Sequence, residues 1–467
     1  MYKYIGLLVL LLNGSLYAQH DSDTTHQHQQ QPHKIKNLKD FFFKGHAHGH
    51  IRNYFMATIN NGALQDYYTN AVGGAIMYHT AKWHGLELGV KGIFTFKTFS
   101  SQLDQAGAIS QKCAVWEMEL YDVTRPAEGL DLDRLEELYL QYSYRNSNIR
   151  FGKIDINKGP LLLKRDGRMK PFVYNGAWLE VKEITQHHFY AGWLYQLSPR
   201  GMTEWYPIHE AIGLLNNGYQ PNGNKAHYQH HLSSAGLGVV GYEGRLADSL
   251  QIKAWNYYLD KINNTTWLQV DYQNNNWYAG LQYALQWVHP HQSTLHYDHR
   301  FQQPHEIANV LAAQLGYKFW NNRLNISFAY AHSFGGGRFL FAREMGREDF
   351  YVSHARSWVE GYAQRSDYLL HILYTPLHQF KHLSIDGKLA WVDLPHAQDY
   401  QNNKYGKTDY LQTTLEINYS FDKILKGLKI GFLYTCRYTP DVYRTTLEKD
   451  YYSTNLHHFN LITEIVF

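Results

Sequence analysis

The sequence predicts an all-β protein, a transmembrane antiparallel β-barrel of about eighteen strands with short periplasmic turns and long external loops. Three observations predict it: a strictly alternating C-terminal segment closed by an aromatic residue, a body that breaks into amphipathic segments of roughly 9 to 13 residues, and connections that are tight in some places and long in others. In the terminal segment Phe459, Leu461, Thr463, Ile465 and Phe467 share one face, and His458, Asn460, Ile462, Glu464 and Val466 share the other. Strand side chains alternate with period two and lipid cannot hydrate a carboxylate, so the first set faces the bilayer and the second a wet lumen.

Taken from the N-terminus, residues 1–18 carry Lys3 and an apolar stretch over 5–12. That stretch falls well short of the roughly 20 residues a spanning helix needs, and it reads as a removable secretory signal. Leu16 stands where a small residue is usual, and no cysteine is present there to accept a lipid. Residues 19–44 are polar, rich in His and Gln and without period, which reads as a disordered periplasmic tail. They leave no room for a folded plug domain ahead of the barrel, which takes 45–467.

Amphipathic segments begin near residues 46, 71, 86, 135, 149, 176, 188, 233, 248, 265, 276, 309, 323, 367, 382, 409, 427 and 455. In one, Leu411, Thr413, Leu415, Ile417, Tyr419 and Phe421 oppose Gln412, Thr414, Glu416, Asn418 and Ser420. In another, Leu86, Leu88, Val90, Phe94 and Phe96 oppose Glu87, Lys91, Thr95 and Lys97. Tight turns are expected at 145–148, 243–247, 274–275, 321–322 and 422–426. An even strand number places both termini in the periplasm, and closing the cylinder removes the sheet edges that lipid penalises.

Composition agrees. The 39 Tyr, 22 Phe and 12 Trp in 467 residues suit aromatic girdles at both membrane surfaces. A mean hydropathy of -0.49 is no objection, because barrel strands average a lipid-facing and a water-facing residue. The net charge of +3 is too small to imply nucleic acid. Cys113, in a loop, and Cys436, in a strand, are far apart in sequence, so a disulfide is not the favoured reading. No motif asks for a cofactor.

The runs Leu138-Tyr139-Leu140-Gln141-Tyr142, Ile149-Arg150-Phe151-Gly152-Lys153, Gly159-Pro160, Asp166-Gly167-Arg168-Met169-Lys170-Pro171 and Asn175-Gly176-Ala177 resemble the OprD family of substrate-specific outer-membrane porins. The resemblance implies a barrel of eighteen strands whose third external loop folds into the lumen, and uptake of small, often carboxylate-bearing solutes. The corresponding loop is 157–174. Its own residues fit a basic constriction, since Lys158, Lys164, Arg165, Arg168 and Lys170 outnumber Asp166. Such a constriction concentrates anions. The other reading, equally weighted, is that these charges brace the loop.

Lumen-lining candidates are Arg52, Lys91, Glu180, Lys182, Lys388 and Glu416, together with Glu87, Lys97, Lys253, Asp386 and Glu464, about half of them expected to pair across the wall. His46, His48 and His50 share the inner face of the first strand and are candidate metal ligands, against the simpler reading of a histidine-rich chain with 28 in all. The expected partners are the outer-membrane bilayer, small solutes and the barrel-assembly machinery acting through the C-terminal strand, with a homo-oligomer left open and nucleic acid excluded. The reading is a passive, selective porin and not an enzyme. The alternatives are a barrel enzyme, for which no serine motif stands out, and a surface binding protein using long loops such as 334–366 with its Gly335-Gly336-Gly337 run.

Overall fold

A computed structural model describes residues 35–130, 132–165, 167–376, 382–422, 425–443 and 446–467. The expected signal at 1–18, most of the His/Gln-rich segment and Asp166 lie outside the described residues. The strands of the wall are β1 (His46–Ile59), β2 (Tyr67–His79), β3 (Leu86–Ser100), β4 (Arg134–Tyr144), β5 (Ser147–Ile154), β6 (Val173–Ile184), β7 (His187–Ser198), β8 (Leu237–Ala247) and β9 (Leu250–Leu259). They continue as β10 (Asn263–Asn274), β11 (Trp277–Val288), β12 (Ile307–Phe319), β13 (Leu324–Ser333), β14 (Ser366–Tyr374), β15 (Leu383–Asp393), β16 (Tyr410–Ser420), β17 (Leu428–Tyr438) and β18 (Leu456–Val466). A nineteenth pairing, Tyr206–Pro207, is two residues long and belongs to a loop.

Each strand pairs antiparallel with its neighbours in the chain, and β1 pairs with β18 as well as with β2. His50 stands opposite Val466 and Ile59 opposite His457, so the last strand closes on the first and no edge is left in lipid. The alternation sorts the faces as expected. Leu461, Ile465 and Phe467 are exposed on the outside, whereas His458 and Asn460 are buried within. No described helix is long and apolar enough to cross a membrane, which says nothing of a barrel.

On one side four connections are two-residue turns, at 145–146, 185–186, 248–249 and 275–276. The turn expected at 243–247 is displaced, because β8 runs on to Ala247. Gly244 makes room in that strand, where a Cβ would run into the Tyr242 hydroxyl. On the other side run the loops 101–133, 155–172, 199–236, 289–306, 334–365, 394–409 and 439–455.

The main hydrophobic core lies inside the cylinder. Ile156, Leu161, Leu162 and Phe172 of loop 155–172 pack with Phe339, Leu340 and Phe341 of loop 334–365 against wall residues Trp255, Tyr257 and Trp267. The tail expectation is corrected at its end: Leu38–Phe43 is a helix, with the Asn37 side chain accepting from the Asp40 amide and Phe41 buried. An Asn cap three residues ahead of an acid starts a helix that tertiary packing then holds. Cys113 and Cys436 are free.

Candidate functional site

Loop 155–172 leaves β5 and returns to β6, yet its contacts reach the far wall. The Leu161 amide donates to the Tyr257 hydroxyl of β9 at 3.4 Å, and the Arg168 carbonyl accepts from Arg52 of β1. In a ring of eighteen strands β1 and β9 nearly face each other, so the loop crosses the lumen. Gly159 permits the close approach: at φ +71 it turns in the left-handed region, and a Cβ there would lie 2.4 Å from the Tyr257 hydroxyl. Leu163 bridges to Arg347, and the Tyr174 hydroxyl donates to the Met345 carbonyl, which joins this loop to 334–365.

The basic residues of the loop are mostly compensated. Lys164 Nζ is 2.5 Å from Asp155, Arg165 pairs with Asp349, and Arg168 pairs with Glu119 while donating to the Trp116 carbonyl at 2.8 Å. Glu119 also takes Arg200 at 2.6 Å. Burial pushes the Glu119 carboxyl up, but Arg168 and Arg200 outweigh it and hold it below its ordinary value. Lys170 is fully buried, and its Nζ has no hydrogen-bond partner among the described residues. Burial first, and Arg134 second, push its pKa down to about 7. Arg168 and Lys170 are therefore corrected from pore-lining groups to bracing and sealed ones, because a cation taken out of water is held by an acid or loses its charge. Lys158 is half-buried.

A second set sits on the wall beside the loop. Lys91 stands opposite Glu137 and Gly92 opposite Leu135, so a β-bulge leaves Glu136 as the extra residue. Two consecutive carboxylates then point inward and are buried. Lys91 Nζ lies 3.1 Å from Glu136 and 3.4 Å from Glu137. Arg134 donates to Glu136 at 3.1 Å and to the Pro171 carbonyl at 2.6 Å, tying the end of the loop to the wall. Glu136, Glu137 and Asp155 bring carboxylate oxygens within 4.8 Å of one another. Lys91 and Lys164 already bind that acidic set. Sequence reasoning missed Glu136 and Glu137 because strict period two allows one of them inside. The available signal was the spacing of three between the outward Leu135 and Leu138.

The third set is basic. On β5 and β6 Glu180 receives Arg150 at 3.3 Å and Lys182 at 2.7 Å, and Lys158 is near enough to act on the same carboxylate. Of the other lumenal candidates, Arg52 pairs with Glu464 at 2.8 Å, and Lys388 shares Asp386 with His371 at 2.9 and 3.0 Å. Glu416 stands opposite Asp386. His48 stacks on His79 with centroids 5.4 Å apart. His46, His48 and His50 keep the shared inner face, but successive inward positions on a strand are roughly 6.5 Å apart. The set of three donors that converges among the described residues is the acidic one.

The model of the family described as outer membrane porin, OprD family, matches residues 39–390. Among solved structures the fold is similar to OccAB2 of Acinetobacter baumannii, with TM-score 0.69 and 13% identity over 92% of this chain and 99% of that one. It is similar also to OccK3 (OpdO) of Pseudomonas aeruginosa, with TM-score 0.62 and 14% identity over 92% and 97%. OccK9 (OpdG) of the same organism gives TM-score 0.67 and 14% identity over 91% and 100%. Identities this low speak for the fold alone. No curated protein matches the sequence.

Proposed function

Because the chain belongs to the OprD family of outer-membrane porins, we propose that it passes small hydrophilic solutes, carboxylate-bearing ones among them, by passive diffusion past the loop that crosses its lumen. The observation that carries this reading is the pair of anchors at opposite walls, Arg168 on Arg52 and Leu161 on Tyr257. A wide cylinder spanned by a braced loop selects by width and by the charges left facing the passage.

Those charges favour anions on one side. Arg150 and Lys182 pair with Glu180 and the charge of Lys158 acts on it from farther away, three cations to one acid, whereas Lys91, Lys164 and Arg134 are matched by Glu136, Glu137 and Asp155. The carboxylate preference thus rests on β5 and β6 more than on Arg165 and Arg168. Family membership speaks against the barrel enzyme. Burial of Phe339, Leu340 and Met345 commits much of loop 334–365 to the core, which weakens the surface-binding alternative.

Insertion by assembly machinery acting on β18, and self-association of barrels, remain parts of this proposal. The test is the reversal potential of the purified protein in a planar bilayer under a potassium chloride gradient. Anion preference is expected. Cation preference would overturn the carboxylate reading and leave the porin standing.

A further inference from the structure

We propose that the short helix ahead of β1, Leu38–Phe43, is a lipid-binding element on the outer rim of the barrel, with Leu38, Phe42 and Phe43 entering the periplasmic leaflet and neighbouring lysines on the phospholipid phosphates. The proposal needs only the membrane barrel and is independent of what the channel passes.

Six residues are too few to hold a helix in water, so contacts with the wall hold this one. Residues directly opposite on paired strands share a face, and Tyr78 stands opposite Ala47 and Ile76 opposite Gly49, in line with the outward Ile51. Tyr78 therefore points to lipid, and its hydroxyl donates to the Phe42 carbonyl. Gly45 allows this approach, since a Cβ there would run into the same hydroxyl. The Ala81 amide donates to the Phe41 carbonyl at 3.0 Å, and the Phe41 ring packs against Trp83 with centroids 6.1 Å apart. Turn 80–85 joins β2 to β3 at the end where the two-residue turns lie, which is the periplasmic end.

Phe41 is the side chain that the wall buries. The other three apolar side chains that the proposal uses are left 58% (Leu38), 45% (Phe42) and 80% (Phe43) exposed. Leu38 and Phe42 stand one turn apart on one helix face. Their patch continues the outward band of Ile76, Leu86 and Val90 on the adjoining strands. The charges fit an anionic phospholipid surface: Lys36, Lys39 and Lys82 are exposed, whereas Asp40 is paired with Lys44 at 3.1 Å. Lys39 Nζ lies over the Phe43 ring, 5.9 Å from its centroid. A lysine stem laid along a ring that enters the acyl boundary returns its ammonium to the phosphates. A protein partner fits less well, because three side chains fall far short of the roughly 20 to 30 residues a side in a stable interface.

The test is a depth measurement by electron paramagnetic resonance on the full-length protein folded into vesicles of phosphatidylethanolamine and phosphatidylglycerol. A nitroxide is attached at F43C in a C113S/C436S background, with N146C, in an exposed turn at the same end, as the aqueous reference. Oxygen should relax the label at position 43 more than a water-soluble nickel chelate does, at a depth of about 5 to 10 Å. The order should reverse at position 146. Adding L38S/F42S should return position 43 to the aqueous pattern, and adding K36Q/K39Q should make it shallower. Heat-modifiable gel mobility establishes that each variant is folded. An aqueous pattern at position 43 in the folded protein, a depth unmoved by both sets of added substitutions, or spin–spin broadening that reports a second copy on this face would overturn the proposal.

Discussion

Arg52 on β1 and Glu464 on β18 are register partners and meet at 2.8 Å across the seam where the cylinder closes. The same guanidinium donates to the Arg168 carbonyl of the lumenal loop. One side chain thereby ties the closure of the barrel to the seat of its constriction. Both side chains keep about a fifth of their surface in water, 22% and 20%, so the pair itself contributes about 1 kcal/mol at most. R52A should lower the unfolding temperature slightly and raise open-channel noise. The charge swap R52E/E464R should restore the temperature, as read by heat-modifiable mobility, but not the quiet current. A swap that restores neither would show that the seam pair carries no weight.

Anion preference should follow the uncompensated group. K158Q/K182Q leaves Arg150 alone with Glu180, and the reversal potential should shift towards zero by most of its wild-type value. In K164Q/R165Q/R168Q the lost Lys164 and Arg165 uncover Asp155 and Asp349, while Glu119 loses Arg168 and keeps Arg200. The principal consequence of that triple change should be a looser loop and noisier current, with proteolysis at 155–172. Equal selectivity losses in both variants would contradict the division of roles.

Lys170 makes the loop sensitive to pH. Its pKa is about 7 in the folded protein against an ordinary 10.5, with Arg134, Asp122, Glu136 and Arg125 as its charged neighbours. Between those values the unfolded chain binds more protons than the folded one, so stability rises with pH across that window. Below about 7 the folded state holds the buried ammonium and its contribution to stability is at a minimum. Lowering the pH from about 8.5 to 6 should therefore increase current fluctuations, and K170M should flatten the response. Persistence of the full response in K170M would assign it to another group.

How far the fold was legible depends on how local each determinant is. Every strand of the wall begins within a few residues of its expected start, as with β2 at Tyr67 and β8 at Leu237, because lipid on one face imposes period two along each segment. The signal weakened where the period slipped, at Glu136–Glu137, and where six residues sufficed for a helix, at Leu38–Phe43. The basic character of loop 155–172 was visible, but its neutralisation was not. The partners of Arg165 and Arg168 are Asp349 and Glu119, which come from other loops and approach only once the barrel has closed.

Face assignment can be tested in β18. Leu461 is 44% exposed on the outer surface, whereas its neighbour Asn460 is fully buried within. L461R would place a guanidinium against hydrocarbon, at a cost of about 2 to 4 kcal/mol near the bilayer centre. Reduced folding into vesicles is the expected outcome, most severe in thick bilayers. An arginine tolerated there without loss would contradict the orientation of the last strand.

The acidic set on β4 should bind a hard cation once its lysine is removed. Lys91 Nζ covers Glu136 at 3.1 Å and Glu137 at 3.4 Å, while Glu136 also has Arg134 and Asp155 has Lys164. In K91M Glu137 loses the ammonium that pairs with it among the described residues, and the three carboxylates remain within 4.8 Å. Oxygen ligands in that number suit calcium at weak, roughly millimolar affinity. Calcium at that level should reduce single-channel conductance in K91M and leave the wild type unaffected, with sodium at equal ionic strength as the control. If the variant's current ignores calcium, Lys164 and Arg134 suffice to screen the set, and Lys91 serves only to hold the bulge against β3.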